Sequence, residues 1–185
     1  MGEELFSTPK DLDFDYEDSL ARIIPLTSLQ EVKMSGTTIG PLEEGKEVET
    51  RFWIAEELVK AGYVRFHEDD VLTYATLNKL HWRETKLSKG LQISPLPDYF
   101  YPKLRRFING ARERASKEPI AASQYVQADR LARDIINCRL RKIVSLAASS
   151  TRASSVVRAL SKEERILFKK VKIAVTDWEK KILEF

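Results

Sequence analysis

Only one of the 185 residues is a cysteine, and only two are histidines. Cys138 cannot close a disulfide within the chain, which excludes a disulfide-stapled scaffold and points to a reducing compartment. His67 and His81 stand apart from each other and from Cys138, and neither a C-x-x-C nor an H-x-x-x-H spacing occurs. No metal and no cofactor is therefore expected. Asp69-Asp70 beside His67 could hold a cation, but a helix N-cap accounts for two adjacent acids more simply. Long apolar runs are missing too: nothing approaches the roughly 18 residues of a membrane helix. The N-terminus shows no basic segment followed by an apolar one, so the expected location is cytoplasmic rather than secreted.

Catalytic signatures are also absent. The chain has no G-x-x-x-x-G-K-[ST], no G-x-G-x-x-G and no nucleophile elbow. The glycines at 36, 40 and 45 crowd into one turn-rich stretch, but no helix N-terminus follows them directly, so they form no phosphate cradle. No catalytic residue is assigned, and the expectation is a protein without an active site.

What is present is charge and helical periodicity. Residues 1–18 carry seven acids (Glu3, Glu4, Asp11, Asp13, Asp15, Glu17, Asp18) against Lys10 alone, leaving 30 basic and 21 acidic residues for the remainder. A basic body suits nucleic acid or an acidic protein partner. The acidic stretch interleaves Leu, Phe and Tyr, and reads either as an arm that docks on a partner or as an extended segment packed on its own domain.

Three regions follow from the patterning: an acidic arm over 1–18, a small β-rich domain with one helix over 19–66, and a helical domain over 67–185. The fold class expected is mainly α. Short apolar stretches with frequent turn residues predict strands in the small domain, around a helix over Phe52–Ala61 with Gly62 as its C′ residue. Beyond Asp69 the period becomes helical. Asp69 or Asp70 and Asp98 are candidate caps, Lys89-Gly90 a helix stop, Ser149–Ser155 a linker, and Ser161-x-x-Glu164 a capping box. The apolar stripe Leu167, Val171, Ala174, Val175, Trp178, Ile182, Phe185 predicts a last helix docked to the end of the chain. Trp53, Trp82 and Trp178 all fall on apolar stripes and are expected in the core.

The longest periodic run is Gln124–Ala148, with Ala128, Leu131, Ala132, Ile135, Ile136, Cys138, Ile143, Leu146 and Ala147 on one broad apolar arc. Arg139 falls near the middle of that arc and Lys142 inside its edge. A guanidinium among Leu and Ile needs carboxylate or carbonyl partners, because an unpaired buried charge costs several kcal/mol. It either organises a helix junction or subunit interface, or snorkels its head to solvent. Arg105, Arg106, Arg112 and Arg114 along an earlier helix are candidate nucleic-acid contacts, although they lack the interleaved aromatics of single-strand binders.

Several segments resemble the GINS family of replication factors. Ser35–Thr50, followed by Phe52-Trp-Ile-Ala-Glu-Glu-Leu58, is similar to the glycine-proline turn, strand and helix of the small domain of GINS subunits. Leu96-Pro-Asp-Tyr-Phe-Tyr101 looks like that family's corner between helices. Asp129–Ile143 resembles its signature helix ending in R-x-x-K-I, which takes in Arg139 and Lys142. The order, small β domain (B-like) before helical domain (A-like), is similar to the archaeal subunit type equivalent to the second and third eukaryotic subunits.

The resemblance implies a non-catalytic subunit of a four-subunit particle, with two copies each of this chain and a sister GINS subunit. That particle would link the MCM helicase to a RecJ-like protein and to polymerase or primase, stimulate unwinding, and work at the replisome, with direct DNA contact possible. It also implies that Leu131, Ile135, Arg139, Lys142 and Ile143 carry the junction that supports the subunit interface. Trp53 and Leu58 would hold the small domain's helix to its strands. Two rivals stay open on the residues alone. One is a free-standing basic helical nucleic-acid-binding protein; the other is a small enzyme whose site assembles in space around His67 or His81.

Overall fold

The structure is a computed structural model that describes residues 9–34, 36–86, 92–149 and 154–183. The start of the acidic arm, the Lys89-Gly90 stop, most of the Ser149–Ser155 linker and the last two residues lie outside them. The chain is mainly helical, with a small antiparallel sheet ahead of a helical bundle. It divides into two compact units, Lys10–Leu72 and Thr73–Phe185.

In the first unit, α1 (Pro9–Glu17) precedes β1 (Leu20–Pro25). Then come β2 (Val32–Met34), β3 (Thr37–Ile39) and β4 (Val48–Arg51), followed by α2 (Phe52–Lys60) and β5 (Val64–Phe66). A three-stranded antiparallel sheet has the order β4-β1-β5, and β2 and β3 form a separate hairpin. Alternation places Ala21 and Ile23 of β1 inward. Phe52, Ile54, Ala55 and Leu58 of α2 are buried in the same unit. Gly62 closes α2 as expected, at φ 78°, with its N–H bonded to the Val59 carbonyl. Gly40 sits at φ 111°, where a Cβ would meet the Gln30 carbonyl oxygen at 3.2 Å, so only glycine fits there.

The second half of the acidic stretch is neither an arm nor extended. It folds as α1, with Leu12 and Tyr16 buried and the Tyr16 ring 4.3 Å from that of Phe52. Helical spacing of Leu12 and Tyr16 (i, i+4) explains this; alternation with aspartates masked it. The unit also runs past residue 66, because the Asp70 carboxylate accepts from both the backbone N–H and Nε of Arg22 at 2.9 Å. Asp70 is thus an ion-pair partner and not a helix cap.

The second unit contains α3 (Tyr74–Lys86), α4 (Phe100–Lys117), α5 (Pro119–Ala148), α6 (Ser154–Arg158) and α7 (Lys162–Leu183). Thr73 caps α3 through its Oγ1, which accepts from the Thr76 N–H at 3.1 Å. Tyr99, not Asp98, is the residue ahead of α4, and it adopts the left-handed region at φ 54°. Pro102 is accommodated in the first turn of α4, where its missing N–H has no intrahelical partner to lose. Helix α5 is central, packing against α3, α4 and α7. Its inward line includes Ala128, Leu131, Ala132, Ile135, Ile143, Leu146 and Ala147.

Candidate functional site

The bundle is held by a buried polar cluster that starts from Arg139. This side chain has 0% exposure, and Glu84 of α3, Lys142 of α5 and Glu164 of α7 are buried with it. The fork of Arg139 meets Glu164 through both Nε and Nη2, the second at 2.7 Å. Its Nη1 donates to Glu84 Oε1 and to the Ser94 carbonyl, each at 2.8 Å. Lys142 Nζ reaches the other Glu84 oxygen at 2.9 Å, and the Ser94 hydroxyl donates to Glu84 Oε1. Tyr101 of α4 donates its hydroxyl to Glu164 at 2.7 Å. Two cations and two anions thus cancel, and every helix of the core contributes a group.

Glu164 is held a second way. It is the third helical residue of α7, and its Oε2 accepts from the Ser161 N–H at 2.9 Å while its own N–H bonds Ser161 Oγ at 3.3 Å. That is the expected capping box. One carboxylate therefore both starts α7 and ties it to α5.

The electrostatics follow from burial against pairing. Burial, the largest influence on Glu84, pushes its carboxyl up. Hydrogen bonds from Ser94 and Lys142 and the charges of Arg139 and Lys142 outweigh it, leaving Glu84 below the ordinary carboxylate value. Burial likewise opposes the Arg139 charge, and the bond to and charge of Glu164 more than offset it. Burial and then the charge of Glu164 hold the Tyr101 phenol well above its usual range, so it is a neutral donor.

Leu131, Ile135, Arg139, Lys142 and Ile143 are all inside this bundle, at 9% exposure or less. The exposed line of the same helix is Ile136, Leu140 and Val144, spaced i, i+4, i+8 and each about 40% exposed. Helix α7 carries exposed apolar residues of its own. It runs in the direction of α5, from Glu164 at Arg139 to Lys172, whose Nζ bonds the Ser149 carbonyl at 3.2 Å. Past Lys172, residues 173–183 extend beyond the end of α5 and none of them is buried. Ile173, Trp178, Ile182 and Leu183 are 56–74% exposed there.

The tryptophans correct the sequence expectation. Trp178 is 64% and Trp82 58% exposed, the latter under the Lys86 ammonium at 4.0 Å. In the small unit Leu58 is buried, Trp53 is half-buried, and Phe52 takes the central place between Tyr16 and Phe66. The candidate nucleic-acid arginines do not form one track. At about 100° per residue Arg105 and Arg112 share a face, and Arg114 lies on the opposite one. Among the described residues no group of three or more His, Cys, Asp or Glu is placed to hold a metal. His67 lies beside Asp69 and Glu47 in the cluster around Arg22.

Sequence reasoning marked Arg139 and Lys142 but missed their partners. Glu84 carried a signal, since it follows Leu77 and Leu80 on the buried line of α3. Glu164 was read only as a cap.

The described residues thus form a helical bundle locked by a buried ion cluster, with apolar side chains exposed on α5 and α7. Residues 71–183 match the family model of the GINS complex protein helical bundle domain, Sld5. The chain belongs to the GINS family, whose members assemble with other GINS subunits in DNA replication. A search of curated proteins finds no match. No helix among the described residues is long and apolar enough to cross a membrane.

Proposed function

We propose that the chain is the archaeal GINS subunit type with the small domain first, a non-catalytic scaffold that forms a four-chain particle with a sister GINS subunit. In that particle it links the MCM helicase to a RecJ-like protein and to polymerase or primase, and so stimulates unwinding. The observation that carries this reading is the uncovered apolar surface: Ile136, Leu140 and Val144 on α5, and the part of α7 beyond Lys172. Exposed apolar side chains in register on a helix mark an interface more often than a solvated face. The buried residues Leu131, Ile135, Arg139, Lys142 and Ile143 contribute by fixing the helices that present it. Trp53 and Leu58 serve the small domain, which is left to meet further partners.

A free-standing nucleic-acid binder is less well supported, because the arginines of α4 are spread around the helix. Light scattering separates the two readings. Mixed with a sister GINS subunit, the chain should move from self-association or the 21.3 kDa monomer to a defined four-subunit mass. A monomer that persists with every sister chain, yet binds DNA with steep salt dependence, would overturn the scaffold reading.

A further inference from the structure

A cleft of about 470 Å³ opens between α4, the first turns of α5 and the start of α3. Phe107, Ala111, Tyr125 and Ala128 line its walls with Ala121, whose small side chains leave the space unfilled. Gln124 and Gln127 bring carboxamides to it, and Arg114 a guanidinium. Two features set it apart from a packing gap. The Tyr74 hydroxyl on its wall is buried and has no hydrogen-bond partner among the described residues. Among the described residues the exposed Arg114 bonds only the Gly110 carbonyl of its own helix, through Nε.

Beside the cleft, Ile120 is 84% exposed. Helix α4 carries Lys103, Arg105, Arg106, Arg112, Arg114 and Lys117 against Glu113 alone. The site therefore combines an apolar hole, a neutral phenol, two amides, the guanidinium of Arg114 on a helix of net positive charge, and an apolar shoulder at Ile120. We propose that it receives an acidic peptide segment of a partner protein. A large apolar side chain enters between Phe107 and Tyr125, its backbone meets the Tyr74 hydroxyl and the glutamines, and a flanking carboxylate takes the fork of Arg114. The size is right for one large side chain with adjoining backbone, being near the lower end of ligand sites. The charge selects the acidic flank. The apolar shoulder suits a peptide better than a nucleotide, and the scattered arginines offer no phosphate track.

The inference stands apart from the assembly reading, and its test reads a different quantity. A displayed library of random peptides is panned against the full chain, with counter-selection on the Ala121→Trp variant, whose indole fills the cleft. Enriched peptides should carry a large apolar residue flanked by Asp or Glu. Labelled copies should bind the wild-type chain saturably in fluorescence anisotropy and at least about tenfold more weakly to Arg114→Glu. Arg133→Glu, an exchange at an exposed site already paired with Asp129, should leave binding unchanged. Melting curves verify that each variant folds, and Arg114→Glu alone decides if Ala121→Trp does not. No enrichment over the filled variant, enrichment of neutral or basic peptides, or full binding by Arg114→Glu would overturn the proposal. So would binding of an oligothymidylate that is lost in the same variants, which would make the cleft a nucleic-acid site. A normal four-subunit mass with Ala121→Trp keeps the two readings separate.

Discussion

At Arg139 one fully buried guanidinium meets two carboxylates and a backbone carbonyl. Removing it strands Glu84 and Glu164 as buried anions with one remaining cation. Arg139→Ala should therefore cost about 3–5 kcal/mol in chemical denaturation; an unchanged midpoint would refute the pairing. The pH dependence has a definite sign. Glu84 titrates lower in the folded chain than its ordinary value of 4.5, so the unfolded chain binds this proton first as pH falls. Its contribution is complete above that value and is lost as the pH drops through the folded value. Unfolding free energy measured from pH 6 downward should decline from about pH 4.5. Glu84→Gln, weaker from the outset, should show a shallower decline. Arg139 and Lys142 were legible in the sequence because charge on an apolar arc violates the pattern. Ser94 and Tyr101 were not, because a serine in a loop and a tyrosine on a helix violate nothing.

Among the elements, α5 and Gly62 at the end of α2 matched their sequence signals, since periodicity and caps are local properties. The misread elements depended on something local pattern does not contain. Helix α1 needed Phe52 to give Tyr16 a partner, and α3 starts at Thr73 because Arg22 had already claimed Asp70. The stripe of α7 was read correctly as apolar but is covered only toward its start, where Leu167 packs against Ile93, Ile143 and Leu160, while Trp178 and Ile182 stay exposed. A charge on the outer line of α5 should thus separate folding from assembly. Leu140→Glu should change stability by less than about 1 kcal/mol, as expected for a surface position. The same variant should stop the four-subunit mass from forming with a sister chain. If it assembles normally, that face is not the interface. Trp178 gives a second readout on α7: the difference spectrum between wild type and Trp178→Phe should show long-wavelength emission alone and a blue shift on assembly.

For the whole molecule, every member of the ion lock lies between Glu84 and Glu164, inside the unit Thr73–Phe185. That unit should fold by itself, with cooperative loss of helical circular dichroism on heating. The unit Lys10–Leu72 is the shorter of the two, and a chain of that length buries a smaller share of its surface, so it should melt earlier when isolated. The reverse order of melting would contradict this.

The double use of Glu164 has a mechanical consequence. Glu164 fixes where α7 starts, and the Lys172 bond to the Ser149 carbonyl marks where α7 leaves α5, so the free arm runs from Lys172 to Leu183, some 16 Å at about 1.5 Å per residue. A swing of about 5° of that arm displaces its tip by roughly 1.4 Å, enough to loosen the fit of Trp178 and Ile182 to any surface shaped to receive them. Glu164→Asp, which draws the carboxylate back by one methylene, should therefore lower the denaturation midpoint as well as weaken recognition. The aim of the outermost turn is set by a carboxylate buried at the opposite end of the helix.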